Sequence, residues 1–185
     1  MQGNLNIYYS FITYIFKTIP KIILLINLKQ AEISISTNEN NLIFLTSFFK
    51  KHTNTLLNFL NDICAVDYPG LTQRFLLVYN FYSLKYNYRI RFLCSLIEFG
   101  AVKSLSFLYK CSSWWEREVW DLFGVFFFDH TRLKRILSDY GFIGYPLRKD
   151  FPISGFFEVR YSEALQKVLY EPLEFKCNFR HTLNY

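Results

Sequence analysis

Closely spaced cysteines are missing from this chain. Cys64, Cys94, Cys111 and Cys177 form no Cys-x-x-Cys and have no histidine pair beside them. Zinc and iron–sulfur sites take closely spaced thiolates for at least part of their ligands, so these four read as reduced thiols in a matrix-like compartment. Also absent are a paired-glycine dinucleotide fingerprint, a G-x-S-x-G nucleophile turn and an H-E-x-x-H helix, which leaves no self-sufficient active site in view. Basic residues never run further than Lys50-Lys51 or Arg148-Lys149, so a nucleic-acid footprint of one sign is disfavoured. No long apolar run occurs either. Met1 to Phe16 is uncharged, but Asn4, Asn6, Ser10 and Thr13 interrupt it and Lys17, Pro20 and Lys21 end it. A membrane span takes about 20 mainly apolar residues. An arginine-rich leader is lacking as well, which argues against import as a precursor; an organelle-encoded protein would need none.

What is present suits one well-buried core in 185 residues. Apolar residues make up 51% and aromatics 21% of the chain, and the mean hydropathy is +0.09. Phe, Tyr, Ile, Asn and Lys are in excess, while alanine is confined to Ala31, Ala65, Ala101 and Ala164. Their codons are A/T-rich, so much of this skew reads as the mark of an organellar genome. Trp114, Trp115 and Trp120 escape that discount. The net charge of +6 and pI of 9.1 describe a solvated surface of scattered charge.

Along the chain, Tyr8 to Phe16 reads as an amphipathic helix and Ile22 to Leu28 as a short apolar run. Gln30 to Ser36 alternates, with Ile33 and Ile35 on one face, which is the period of a half-buried strand. Asn38 to Asn41 offer capping side chains before the helical spacing of Leu42, Leu45, Phe48 and Phe49. Thr53 to Asn61 reads as a second short helix or a turn, followed by a strand that stops at Tyr68-Pro69-Gly70. Arg74 to Ser83 and Tyr88 to Leu96 form a predicted hairpin, whose Arg89 and Arg91 share a face that is either solvated or turned toward an acidic neighbour. Val102 to Leu108 is expected to be a short helix. Trp114 to Phe123 is expected to be another, stopped by Gly124, with Arg117 and Asp121 paired across one turn. Beyond it the chain looks irregular apart from one helical turn at Arg132 to Ser138 and a final hairpin, Glu158 to Tyr161 with Val168 to Tyr170.

Charges and large aromatics are densest from Trp114 to Gly155, a composition of binding hot spots. His130 beside Asp129 could describe a general base held by a carboxylate, but a structural loop histidine is the better reading. Gly141 and Gly144 could cradle a phosphate only between a strand and a helix, which the order of elements does not supply. Pro146 and Pro152 are expected to hold Arg148, Lys149 and Asp150 in an extended segment.

Glu116-Arg117-Glu118, Asp121-Leu122-Phe123-Gly124, Arg135-Ile136-Leu137, Asp139-Tyr140-Gly141-Phe142 and Pro146-Leu147-Arg148-Lys149-Asp150-Phe151-Pro152 together resemble the signature of the 30 kDa subunit of respiratory complex I. The likeness reaches upstream through Asp62 to Pro69 and Tyr79 to Arg91, and downstream through Glu158 to Pro172. It departs at His130-Thr131, where a proline usually follows the histidine. The resemblance implies an α+β fold, a mixed sheet with helices on one face and an extended C-terminal segment. It divides the chain into an N-terminal segment 1–28, the subunit domain 29–172 and a tail 173–185.

It further implies a cofactor-free subunit in a hetero-oligomer, bracing the peripheral arm on the matrix side of the mitochondrial inner membrane beside the 49 kDa quinone-site subunit. FMN, the iron–sulfur clusters and quinone would be handled by neighbours. No catalytic, cofactor-binding or metal residue is assigned. The expected interface residues are Trp115, Glu116, Arg117, Glu118, Asp121, Arg135, Asp139, Arg148, Lys149 and Asp150. Two other readings, a basic organellar RNA-binding or ribosomal protein and a small enzyme using His130 and Asp129, do not account for this order of residues.

Overall fold

The computed structural model describes residues 2–29 and 32–175. Helix α1 (Gln2–Thr18) precedes strands β1 (Ile23–Lys29) and β2 (Glu32–Thr37), then helix α2 (Leu42–Lys51). Strands β3 (Phe59–Asp67), β4 (Phe75–Ser83) and β5 (Tyr88–Leu96) follow, then β6 (Ala101–Lys103), helix α3 (Ser112–Phe123), β7 (Phe126–Phe128) and the hairpin β8 (Phe157–Ser162) and β9 (Lys167–Pro172). A five-stranded sheet runs in the order β1-β2-β5-β4-β3. Only its β2–β5 pair is parallel, so the sheet is mixed. The fold is α+β, as the sequence implied.

Strict alternation builds the buried face. Phe75, Leu77, Tyr79 and Phe81 of β4, Ile90, Phe92 and Cys94 of β5, and Ile33 and Ile35 of β2 are all buried, as a period of two requires. Onto them α2 lays Leu42, Leu45 and Phe49, and the Phe49 ring meets Phe92 at 5.3 Å. Burying each such side chain contributes about 1.5–3 kcal/mol. The N-terminal elements share this core, to which α1 adds Phe11 and Ile15 and β1 adds Ile23.

The other face carries a polar ladder. Asn80 donates to Asp62 at 2.6 Å, Arg91 donates to Asn80 at 3.0 Å, and Arg91 reaches Glu32 at 2.6 Å. Arg91 is therefore paired within the chain, while Arg89 is exposed.

Four local expectations give way, and the choice left open at Thr53 to Asn61 falls to the turn. Asn38 and Asn41 stand at helix starts but make no side-chain cap bond. Thr53 to Asn61 is a turn running into β3, with Leu56 at a φ of 44°. Val102 to Leu108 is not helical: Val102 lies in β6, which pairs parallel with β7, and Glu116 captures the Leu105 N–H and the Ser104 hydroxyl. Arg132 to Ser138 makes no helical turn, because the N–H groups of residues 136–138 bond to Asp121 instead of to helical carbonyls. The stretch from Pro146 to Pro152 is a pair of turns rather than extended, since Arg148 N–H bonds to Tyr145 O and Phe151 N–H to Arg148 O. A proline fixes only its own φ and biases the residue before it.

Candidate functional site

Helix α3 organises the charged half of the molecule. Its end is set by Gly124, which sits at φ 77° and bonds back to Trp120 O. A side chain there would also collide, because a Cβ would lie 2.6 Å from the Arg148 guanidinium and 2.7 Å from the Tyr145 ring. Glycine is thus required twice, for backbone conformation and for close approach.

Three carboxylates of this region point inward. Asp121 is fully buried. Its Oδ2 accepts N–H bonds from Ile136, Leu137 and Ser138, and its Oδ1 accepts the Ser138 hydroxyl and Arg135 at 2.7 Å. Burial pushes its carboxyl up, but the Ser138, Ile136 and Leu137 bonds outweigh that and hold it well below the usual carboxylate range. Glu116 is also fully buried and accepts Ser104 Oγ at 2.5 Å and Leu105 N at 2.7 Å. Here burial prevails over the hydrogen bonds, so its carboxyl lies above the ordinary value. Asp67 is held low chiefly by its bond from Arg74.

Asp67 centres the third group, which ties the sheet to the loop. Arg74 grips it with two bonds, Nε to Oδ1 at 2.8 Å and Nη2 to Oδ2 at 3.1 Å. The same guanidinium reaches Glu98 at 2.7 Å and Asp150 at 3.1 Å, while the Lys149 N–H donates to Asp67 at 2.8 Å. Arg148 donates to Phe123 O at 2.6 Å, lies 3.6 Å from Glu98, and stacks over Tyr145 at 4.6 Å and Phe75 at 5.2 Å. Bidentate arginine–carboxylate bonds of this kind fix orientation as well as contributing energy.

Measured against the expected interface, the structure divides the residues. Glu116 and Asp121 are internal anchors and present nothing to a partner. Arg117 does not pair with Asp121; it donates to Lys134 O at 3.0 Å and Arg135 O at 3.3 Å, because the Asp121 oxygens are already taken. Arg135 lies over the Trp120, Phe142 and Tyr145 rings, and Arg148 also points inward. Trp115 and Glu118 are half-buried. Asp139, Lys149 and Asp150 remain exposed, Asp139 accepting the Tyr170 hydroxyl at 3.0 Å. Asp67, Arg74 and Glu98 had no place among the candidates. Their one signal was charge at the ends of otherwise apolar strands, on either side of Tyr68-Pro69-Gly70.

The loop also displays apolar side chains outward. Tyr140 is 98% and Ile143 78% exposed. They border an open groove of about 790 Å³, lined also by Leu122, Phe142, Phe151, Phe156 and Tyr170. His130 is committed to structure: its Nδ1 accepts the Arg132 N–H, which leaves Nε2 to donate toward Ser113 O and Oγ, each at 3.1 Å. Both ring nitrogens of His130 are thus engaged in hydrogen bonds within the chain.

Residues 35–157 match the family described as the respiratory-chain NADH dehydrogenase, 30 kDa subunit. The chain is 51% identical over 145 residues to NADH dehydrogenase (ubiquinone) iron-sulfur protein 3 of Solanum tuberosum, covering 78% of this chain and 76% of that protein. It is 45% identical over 166 residues to NADH-ubiquinone oxidoreductase subunit 9 of Reclinomonas americana, covering 90% and 81%. Two solved structures share the fold. A trypsin-resistant fragment of Nqo5 has a TM-score of 0.53 at 24% identity, covering 59% of this chain and 89% of that one. A chain of an archaeal membrane-bound sulfane sulfur reductase has a TM-score of 0.66 at 20% identity, covering 77% and 84%.

The potato relative's name calls it an iron-sulfur protein; among the described residues of this chain the cysteines stand apart. Cys64 pairs across from Val78 and Cys94 from Leu77, so the two lie on opposite faces of the sheet. Cys111 directs its thiol at Leu60 O. Cys177 lies outside the described residues, among which no cluster of His, Cys, Asp or Glu is arranged to hold a metal. The order of the charged segments, the fold and these relatives agree: the chain belongs to the 30 kDa subunit family of the respiratory-chain NADH dehydrogenase, complex I.

Proposed function

We propose that this chain, a peripheral-arm subunit of mitochondrial NADH:ubiquinone oxidoreductase, acts there as a non-catalytic brace. The arm would lie on the matrix side of the inner membrane. The observation that supports this reading is where the charges are spent. Asp121, Asp67, Arg74, Arg135 and Arg148 are consumed in holding one irregular loop rigid. What the loop offers a neighbour is an apolar groove with Asp139, Lys149 and Asp150 exposed in the same segment. Preorganised loops of this kind bind without a large ordering cost. The partner we assign is the 49 kDa quinone-site subunit, with FMN and iron–sulfur chemistry carried by other chains. The ribosomal reading has no support from the relatives described or from the mixed-sign surface.

Arg148→Ala tests the proposal. Removing its guanidinium leaves the Phe123 carbonyl without that donor, at a cost of about 1–3 kcal/mol. The expected result is less assembled complex on a native gel, with NADH:quinone turnover near normal per assembled complex. Unchanged assembly with collapsed normalised turnover would place Arg148 in the chemistry and remove the brace.

A further inference from the structure

The two edges of the main sheet are treated differently. At the β3 edge, α3 packs alongside, Cys111 directs its thiol at Leu60 O, and the Tyr109 hydroxyl bonds to Leu57 O. The β1 edge carries no such cover: among the described residues no strand pairs with its outer side. Its regular register runs from Leu25 to Lys29 with no proline inside it. Leu24 and Leu25 are 62% and 53% exposed, and Ile26 and Leu28 are only half-buried, although their cross-strand neighbours Ile35 and Ile33 are fully buried. An apolar edge with unpaired backbone groups is a template for another strand; here the irregularity between Ile23 and Leu25 and the charge of Lys29 bound the open stretch to Leu25 through Leu28.

Charge specifies the occupant. The first 31 residues contain Lys17, Lys21 and Lys29 and no Asp or Glu. All three lysines are exposed, and none makes an ion pair among the described residues. Lys21 and Lys29 bracket β1. A second copy fits poorly, because antiparallel self-pairing about Leu25 sets Lys21 against Lys29, and parallel pairing sets each lysine against itself. Residues 176–185 carry Lys176 and Arg180 and no Asp or Glu side chain, so their side chains are of the same sign. A lipid surface would meet open N–H and C=O groups that hydrocarbon cannot satisfy. The matched family region starts at residue 35, so this edge lies outside it.

We propose that β1 is a docking edge for strand addition by another subunit of the complex. The occupant is an extended segment with alternating apolar side chains and carboxylates flanking them. This goes beyond the bracing loop, which lies in a different part of the chain, and neither claim requires the other.

The test uses the purified complex. Hydrogen exchange over residues 23–29 should be at least about tenfold slower than in the free full-length chain, since paired edge amides open only with the strand. A photo-cross-linking amino acid at Leu24 should mark one extended, acid-flanked segment of another subunit. The double variant Lys21→Glu and Lys29→Glu should lose that protection while β4 and β5 amides stay protected, which controls for folding. Exchange equal to that of the free chain would overturn the proposal. So would cross-links to lipid, to a second copy or to a segment without carboxylates, or protection untouched by the charge reversal. If the chain still comigrates with the complex in these outcomes, the bracing function survives the loss of the docking edge.

Discussion

Asp121→Asn tests the internal anchor with almost no change in shape. Oδ2 is surrounded by the N–H groups of Ile136, Leu137 and Ser138, and Oδ1 by the Ser138 hydroxyl and the Arg135 guanidinium. With its NH2 at the Oδ2 position the amide faces three N–H donors, and at the Oδ1 position it faces the Arg135 guanidinium with the Ser138 hydroxyl as an acceptor. Arg135, with its side chain 22% exposed, also loses its carboxylate. Breaking a buried charge pair costs about 3–5 kcal/mol, and the separate bonds are not to be added to that, because they share one carboxylate. For a chain of this length such a loss lowers Tm by roughly 6–20 °C.

The pH dependence follows from the lowered carboxyl. A depressed folded-state value contributes stability above the unfolded value of about 3.9 and loses it as pH falls through the folded one. The gap between wild type and Asp121→Asn should therefore be full at pH 7 and shrink under strong acid. Thermal and urea unfolding of the isolated chain measure it. A difference below about 0.5 kcal/mol at pH 7, the ordinary scatter of surface substitutions, would refute the anchoring role. So would a gap that widens in acid.

Three further outcomes are expected. Arg148→Ala should reduce assembled complex and leave normalised turnover near wild type, and Arg148→Lys should not fully restore assembly, because an ammonium lacks the planar fork that stacks on Tyr145. Gly124→Ala should cost more than the roughly 1–2 kcal/mol of a left-handed backbone, since its Cβ meets the Tyr145 ring at 2.7 Å, while Gly141→Ala, at φ 73° with open space around it, should cost only the backbone part; equal losses by urea unfolding would refute the packing argument. Glu116 has a raised carboxyl value, so the folded state holds its proton longer than the unfolded one and stability is lost as pH rises through that window. Glu116→Gln should accordingly gain on wild type as pH rises above the ordinary glutamate value, and a pH-independent difference in Tm would count against it.

Local pattern was enough wherever the cause was local. The alternation of Gln30 to Ser36, whose first two residues lie outside the described ones, the hairpin around Leu84-Lys85-Tyr86-Asn87 and the stop at Gly124 could all be read from residues within a few positions of one another. The structure places β2, the β4–β5 pair and the end of α3 accordingly. The order of charged segments from Glu116 to Pro152 also carried the family, because so long a pattern is specific in itself.

Only the tertiary structure decided what those charges do. Arg117 and Asp121 stand four apart on one helix and look like a pair, yet Asp121 is claimed by donors 14 to 17 residues away. Arg148 looks like a displayed charge between prolines, but its partner is a carbonyl 25 residues back. The Lys149 N–H finds Asp67 across 82 residues. Sequence spacing cannot report such partners, because a buried carboxylate takes whichever donors the packed fold brings to it and leaves its near neighbours to find others.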